Sequence, residues 1–259
     1  MIEQILGSGT LTPIQLTYAS YALMALTTLL TILLLRSIIA KFFSSRTSKH
    51  TNHILFVGPE KTGKTVLTNL IARGSKPHHD TVTSMVPTHR TGPNQMVLTD
   101  FPGCAQARNA SLTQQLKDAK GVVFLIDGRF QTMTDEARAS AALMKRVLIN
   151  AAFRDRHVPM LVAFNKIDLI PDSPKVGDTV ESSVWLQSQK KLLQRELDVI
   201  KDEMLTSTGD NVASHQLGTE QAFDFEMDVE SEVSFCCCTT ENGMKGVKDV
   251  IKFCRSLQQ

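Results

Sequence analysis

His53-Ile54-Leu55-Phe56-Val57, followed at once by Gly58-Pro59-Glu60-Lys61-Thr62-Gly63-Lys64-Thr65, is the stretch that decides the fold. The first five residues form an apolar run of strand type, and Val66 to Arg73 continues in a helical pattern. The middle reads GxxxxGK[ST], flanked by the strand and helix that this motif needs. Such a loop turns backbone N–H groups and a helix N-terminus toward phosphate oxygens. Lys64 is placed to reach the β- and γ-phosphates, and the Thr65 hydroxyl to ligate Mg²⁺.

Two further motifs lie downstream. Met96-Val97-Leu98-Thr99 reads as a strand ending in Asp100-Phe101-Pro102-Gly103, a DxxG. Asp100 is expected to hold Mg²⁺ through water, and the Gly103 N–H to sense a γ-phosphate. Met160–Phe164 reads as a buried strand ending in Asn165-Lys166-Ile167-Asp168, an NKxD. The Asp168 carboxylate can accept from both N1–H and the exocyclic amine of guanine, a pairing that adenine does not offer. Each short motif is weak alone; the order, and the apolar strand before each, make the set specific.

The chain has 259 residues, 42% of them apolar and 21% charged, which excludes wholesale disorder. Of 28 Lys and Arg, residues 1–50 hold Arg36, Lys41, Arg46 and Lys49, against the single acid Glu3. That leaves 24 basic and 25 acidic residues in the rest of the chain, so no nucleic-acid-binding face is expected. Five cysteines, three of them consecutive (Cys236, Cys237, Cys238), give neither a disulfide framework nor a zinc ribbon. We read the triplet as part of a central strand packed on both faces.

No charge occurs between Glu3 and Arg36. Ile14 to Leu35 is apolar enough, and at about 33 Å as a helix long enough, to cross a hydrocarbon core of about 30 Å. Thr12-Pro13 suits a helix start, Tyr18 and Tyr21 suit an interface, and Thr27, Thr28 and Thr31 can bond back to their own helix. A cleaved signal peptide would carry a basic start and a shorter apolar run. All the basic residues follow the span, which puts the large domain in the cytosol. The expected division is a lumenal segment 1–13, a transmembrane helix 14–35, a basic linker 36–52 and a nucleotide-binding domain 53–259, with a flexible insertion at 206–221.

The three motifs resemble those of the Ras-like GTPase superfamily. That resemblance implies an α/β fold: a six-stranded, mostly parallel sheet flanked by helices, binding GTP or GDP with Mg²⁺. It also implies nucleotide contacts from residues 58–66, Gly103, Asn165, Lys166 and Asp168, and from a last loop where Thr239-Thr240-Glu241 replaces the family's SAK. Metal ligands are then Thr65, Asp100 and a switch I hydroxyl, Thr83 or Ser84, of which we favour Ser84. An Arf-like protein would offer Gly at position 2, where this chain has Ile2, and a Ras-like one a prenylated C-terminal cysteine, where it has Ser256-Leu-Gln-Gln259, so neither kind of lipid anchor is expected.

An N-terminal anchor joined directly to such a domain resembles the β-subunit family of the signal recognition particle (SRP) receptor. Thr81–Met85, Val122–Phe130 and Phe223-Asp224-Phe225 add to the likeness. The resemblance implies residence in the endoplasmic reticulum membrane and a grip on the N-terminal domain of an α subunit. Through it the family serves SRP–ribosome complexes and the translocation channel. An Arf-like trafficking GTPase with an unusual anchor is the alternative. Where Ras-like enzymes place a water-orienting Gln after DxxG, this chain has Cys104, with Gln106 two residues on. A thiol is a weak donor and acceptor, so slow hydrolysis is expected.

Strands are expected near 53–57, 82–88, 96–99, 121–126, 160–165 and 233–238, and helices near 64–73, 105–119, 134–154, 184–206 and 244–257. His78-His79-Asp80 is expected as an exposed polar loop, and Trp185 as a packed residue early in its helix.

Overall fold

In the computed structural model, residues 21, 24–32, 53–75, 85–103, 105–129, 134–171, 179–207 and 222–258 are described. The chain divides into two units, Met1–Lys49 and His50–Gln259.

In the first unit, residues 24–32 are helical (α1) with exposed side chains. Thr27 donates to the Met24 carbonyl at 2.9 Å and Thr31 to the Thr28 carbonyl at 2.8 Å. Thr28 donates to Met24 and Ala25. These bonds satisfy hydroxyls on an otherwise apolar helix, as the sequence leads one to expect. Among the described residues no helix is long and apolar enough to cross a membrane. Most of the expected span 14–35 lies outside them.

The second unit is built on strands that are apolar on both faces. In β1 (His53–Val57), Leu55 and Val57 enter one cluster and Ile54 and Phe56 the other. The same alternation runs through β4 (Ala119–Asp127) and β5 (Met160–Asn165). Val122, Phe124, Ile126, Val162 and Phe164 face one side; Val123, Leu125, Leu161 and Ala163 face the other. Strands buried on both faces belong in a parallel sheet covered by helices.

The sheet has six strands in the order β2-β3-β1-β4-β5-β6. All neighbours run parallel except β2 (Thr88–Thr91), which pairs antiparallel with β3 (Val97–Asp100). On one face lie α2 (Lys64–Arg73), burying Leu67, Leu70 and Ile71, and α8 (Lys248–Ser256), burying Val250 and Cys254. The i, i+3, i+4 spacing in α2 makes a single apolar stripe. The helix ends at Gly74, whose N–H bonds the Leu70 carbonyl at 2.8 Å from a left-handed backbone. On the other face lie α3 (Ala105–Asp118), α4 (Thr134–Leu148) and α6 (Thr179–Ser207). Their core contacts include Leu116, Met144, Leu193 and Leu197, all fully buried. Short helices α5 (Ala151–Arg154) and α7 (Phe225–Asp228) are capped by Asn150 and Asp224, whose side chains accept from Ala152 and Glu226 N–H.

The structure departs from the sequence reading in four places. The second strand is Thr88–Thr91 rather than 82–88, because it pairs as a hairpin with β3 across the turn in which Gly92 N–H bonds the Met96 carbonyl. The helix expected at 134–154 breaks at Asn150, which caps a new one. The helix expected at 184–206 starts at Thr179, five residues before the apolar periodicity becomes visible. The triplet strand β6 (Val233–Cys237) is an edge strand, not a central one. It keeps two covered faces all the same: Phe235 packs against the α6 side, and Cys236 against the α8 side. Trp185 is half-buried, edge-on to Phe164 with centroids 5.6 Å apart. Of the insertion expected at 206–221, residues 206 and 207 instead close α6, and 208–221, like the loop His78-His79-Asp80, lie outside the described residues.

Candidate functional site: a phosphate loop joined to a base-recognition loop

In a mostly parallel sheet the loops at the carboxyl ends of the strands share one edge, where ligands bind. β1 delivers Gly58–Thr65 there, β3 delivers Asp100–Gly103, β4 delivers Asp127–Arg129, and β5 delivers Asn165–Asp168. β6 delivers Thr239.

The phosphate loop is shaped by close approaches. Gly63 has φ +92°, and a Cβ there would lie 2.5 Å from Asn165 Nδ2. Only glycine meets both conditions. The Asn165 side chain, fully buried, donates to the Thr62 carbonyl at 2.8 Å. Lys64, 6% exposed, donates from Nζ to the Pro59 carbonyl at 2.6 Å. Val66 sits half-buried in the first turn of α2. A Cβ on Gly103 would meet Glu60 Cα and Lys64 Nζ, each at 2.9 Å. The DxxG glycine therefore presses its backbone against the phosphate loop.

Thr65 and Asp100 come together although 35 residues separate them. Thr65 Oγ1 donates to Asp100 Oδ2 at 2.6 Å. Burial pushes the Asp100 carboxyl above its ordinary range, and the Thr65 hydrogen bond, Lys64 and Arg90 offset part of that rise. Arg90 on β2 lies 3.7 Å from Asp100 and donates to Asn69 Oδ1 at 2.9 Å. Among the described residues no cluster of three or more His, Cys, Asp or Glu is able to hold a metal. One hydroxyl beside one carboxylate suits a hard cation that draws its remaining oxygens from a nucleotide and water. The residues present fit Mg²⁺ on that basis. Thr83, Ser84 and Cys104 lie outside the described residues.

The base-recognition loop turns at Lys166, which has φ +61°. Lys166 Nζ donates to the Lys61 carbonyl and, at 2.9 Å, to Asp127 Oδ2. Asp168 is exposed, and its Oδ1 accepts a short hydrogen bond from Thr239 Oγ1. Thr239 itself is buried; its N–H bonds the Gly246 carbonyl at 3.0 Å, and its hydroxyl accepts from Glu241 N–H. Thr239 thus holds the Asp168 carboxylate, a contact the sequence reading did not foresee, while Thr240 stands beside it half-buried.

Asp127 and Arg129 were legible in the sequence only as part of a family likeness. Arg129 grips the Asp127 carboxylate in a fork, Nε to Oδ1 at 3.1 Å and Nη2 to Oδ2 at 2.9 Å. Burial works to raise the Asp127 carboxyl, but the Arg129 and Lys166 hydrogen bonds outweigh it and hold it at about 2. A charged residue closing a nine-residue strand that is otherwise almost wholly apolar is the signal that marks Asp127. Arg90 sits in an exposed polar hairpin and gives no such signal.

The family profile described as signal recognition particle receptor beta subunit matches residues 49–228. The chain belongs to that family. Among curated proteins compared by sequence, none matches. Solved structures of the family share the fold. In the mammalian SRP receptor the similar chain is 24% identical, with a TM-score of 0.60; the match covers 79% of this chain and 99% of that one. The GDP form of the receptor β subunit from Chaetomium thermophilum gives 20% identity and a TM-score of 0.58, covering 78% and 95%. The same protein with GTP and its SRX partner gives 23% and 0.53, covering 74% and 91%.

Proposed function

We propose that this protein is the membrane-anchored, GTP-binding β subunit of an SRP receptor. It would dock the α subunit at the endoplasmic reticulum membrane for co-translational targeting. The observation that carries the guanine reading is the Thr239–Asp168 contact across the base-recognition loop, opposite a phosphate loop whose Thr65 touches Asp100. GTP or GDP would be held by residues 58–66, with Mg²⁺ on Thr65, Asp100 and a switch I hydroxyl from Thr83 or Ser84. When bound, Mg²⁺ would neutralise charge on the phosphates. The family membership and the uncharged stretch between Glu3 and Arg36 support the anchor and the partner.

Purification of the full chain from membranes tests the reading. An SRP receptor α-type subunit is expected to accompany it, with guanine nucleotide bound; ATP at equal occupancy would overturn the base assignment. Asp168→Asn is expected to shift preference toward xanthine nucleotides. Protease added to sealed microsomes is expected to remove the large domain and leave a small membrane fragment. Complete protection would reverse the orientation.

Hydrolysis is proposed to be slow, because Cys104 occupies the position where a water-orienting amide is usual. Single-turnover hydrolysis by wild type, Cys104→Gln and Cys104→Ala decides this. Fast wild-type turnover that collapses in Cys104→Ala would make the thiol catalytic.

A further inference from the structure

We propose that Asp127 and Arg129 are positioning residues that set the residence time of the nucleotide by holding Lys166 against the phosphate loop. The inference rests on the guanine-nucleotide reading above. Asp127 is the last residue of β4 and lies in register with Asn165, the last residue of β5. The two strand ends therefore present their side chains side by side at the same edge. Asn165 ties the base-recognition loop to the phosphate loop through the Thr62 carbonyl, and Lys166 ties it again through the Lys61 carbonyl. The second tie needs a partner that fixes the ammonium. A lysine has three donors on a flexible stem, and a carbonyl alone does not choose one rotamer.

Asp127 supplies that partner through Oδ2. Its own direction is set by Arg129, whose guanidinium takes both carboxylate oxygens while the Arg129 backbone N–H bonds Oδ1 at 3.1 Å. A forked guanidinium–carboxylate pair fixes geometry as well as charge. The turn that follows is pressed against the same loop: a Cβ on Gly128 would lie 2.8 Å from the Asn165 carbonyl oxygen. The chain of contacts Arg129–Asp127–Lys166–Lys61 thus joins the end of β4 to both nucleotide-binding loops. The depressed Asp127 carboxyl keeps the pair charged throughout the physiological range.

The test uses the full chain in detergent with fluorescent mant-GDP, released by excess GDP. Wild type is expected to bind the probe. Asp127→Ala is expected to speed release about tenfold, the loss of one charge-assisted hydrogen bond. Arg129→Ala should give a smaller acceleration, and Arg129→Lys should restore only part of it, since an ammonium cannot fork. The deciding readout is the pairing with Lys166→Ala: adding Asp127→Ala to that variant should change release no further, because Asp127 acts through Lys166. Asp127→Asn, closer in shape, repeats the cycle, with circular dichroism of each nucleotide-free variant to confirm folding. Additive effects of Asp127→Ala and Lys166→Ala, or unchanged release in Asp127→Ala, overturn the proposal and leave the guanine reading intact. Failure of wild type to bind the probe overturns both.

Discussion

A single methyl group is enough to test the join between the two nucleotide loops. Gly63→Ala would place a Cβ 2.5 Å from the Asn165 amide at φ +92°. The strain should cost more than about 1 kcal/mol and force the Asn165–Thr62 hydrogen bond to open. We expect mant-GDP affinity to fall at least tenfold while the far-ultraviolet circular dichroism spectrum is retained; equal affinity would refute the contact. Asp127 gives a pH-dependent counterpart. Its folded carboxyl titrates at about 2, below the ordinary value of 3.8. The stabilisation from its ion pairs is therefore complete above about pH 4 and is lost as pH falls toward 2. The gap in urea midpoint between wild type and Asp127→Ala should be widest above pH 5 and close as pH approaches 2. At this scale the sequence was informative wherever spacing carried chemistry. Thr65, Asp100, Asn165, Lys166 and Asp168 all meet at one edge. Arg90 escaped notice because a lone arginine in a polar hairpin looks the same whether it faces solvent or Asp100.

Among the elements, the last strand and last helix make the clearest prediction. Cys236, Cys238 and Cys254 are buried free thiols, and burial is the chief cause that raises each above the usual range. Cys237 is half-exposed, and burial still lifts it to about 11. At pH 8 all four should be protonated and poor nucleophiles. Maleimide followed by mass spectrometry should modify them only on addition of denaturant, with Cys237 first; rapid native labelling of Cys236 or Cys254 would contradict the packing. On the opposite face, Leu197→Ala removes a fully buried contact of α6 and should cost about 2–5 kcal/mol in a denaturant titration. The strands at the centre were legible because alternating faces that are both apolar admit few other structures. The position of β6 was not, since an edge strand covered on both faces has the same composition as a central one. The break at Asn150 and the start at Thr179 were also hidden: caps and polar first turns lie outside the apolar period that reveals a helix.

For the molecule as a whole, the order of strands in space differs from their order in the chain. β1 lies between β3 and β4, and β6 closes the far edge beside β5. The phosphate loop is complete by Thr65, yet Asp168 meets its partner only when Thr239 follows the final strand into place. If the proposed guanine reading holds, a ribosome releases the half of the site proposed to bind phosphate long before the half proposed to distinguish bases. A chain stopped at residue 230 would carry Gly58–Thr65 and Asn165–Asp168 without the hydroxyl that steadies Asp168. Such a fragment should discriminate poorly between GDP and ADP, as competition against mant-GDP would reveal. Tight guanine binding would then mark polypeptides that have been translated through β6, and an interrupted product would be left without it.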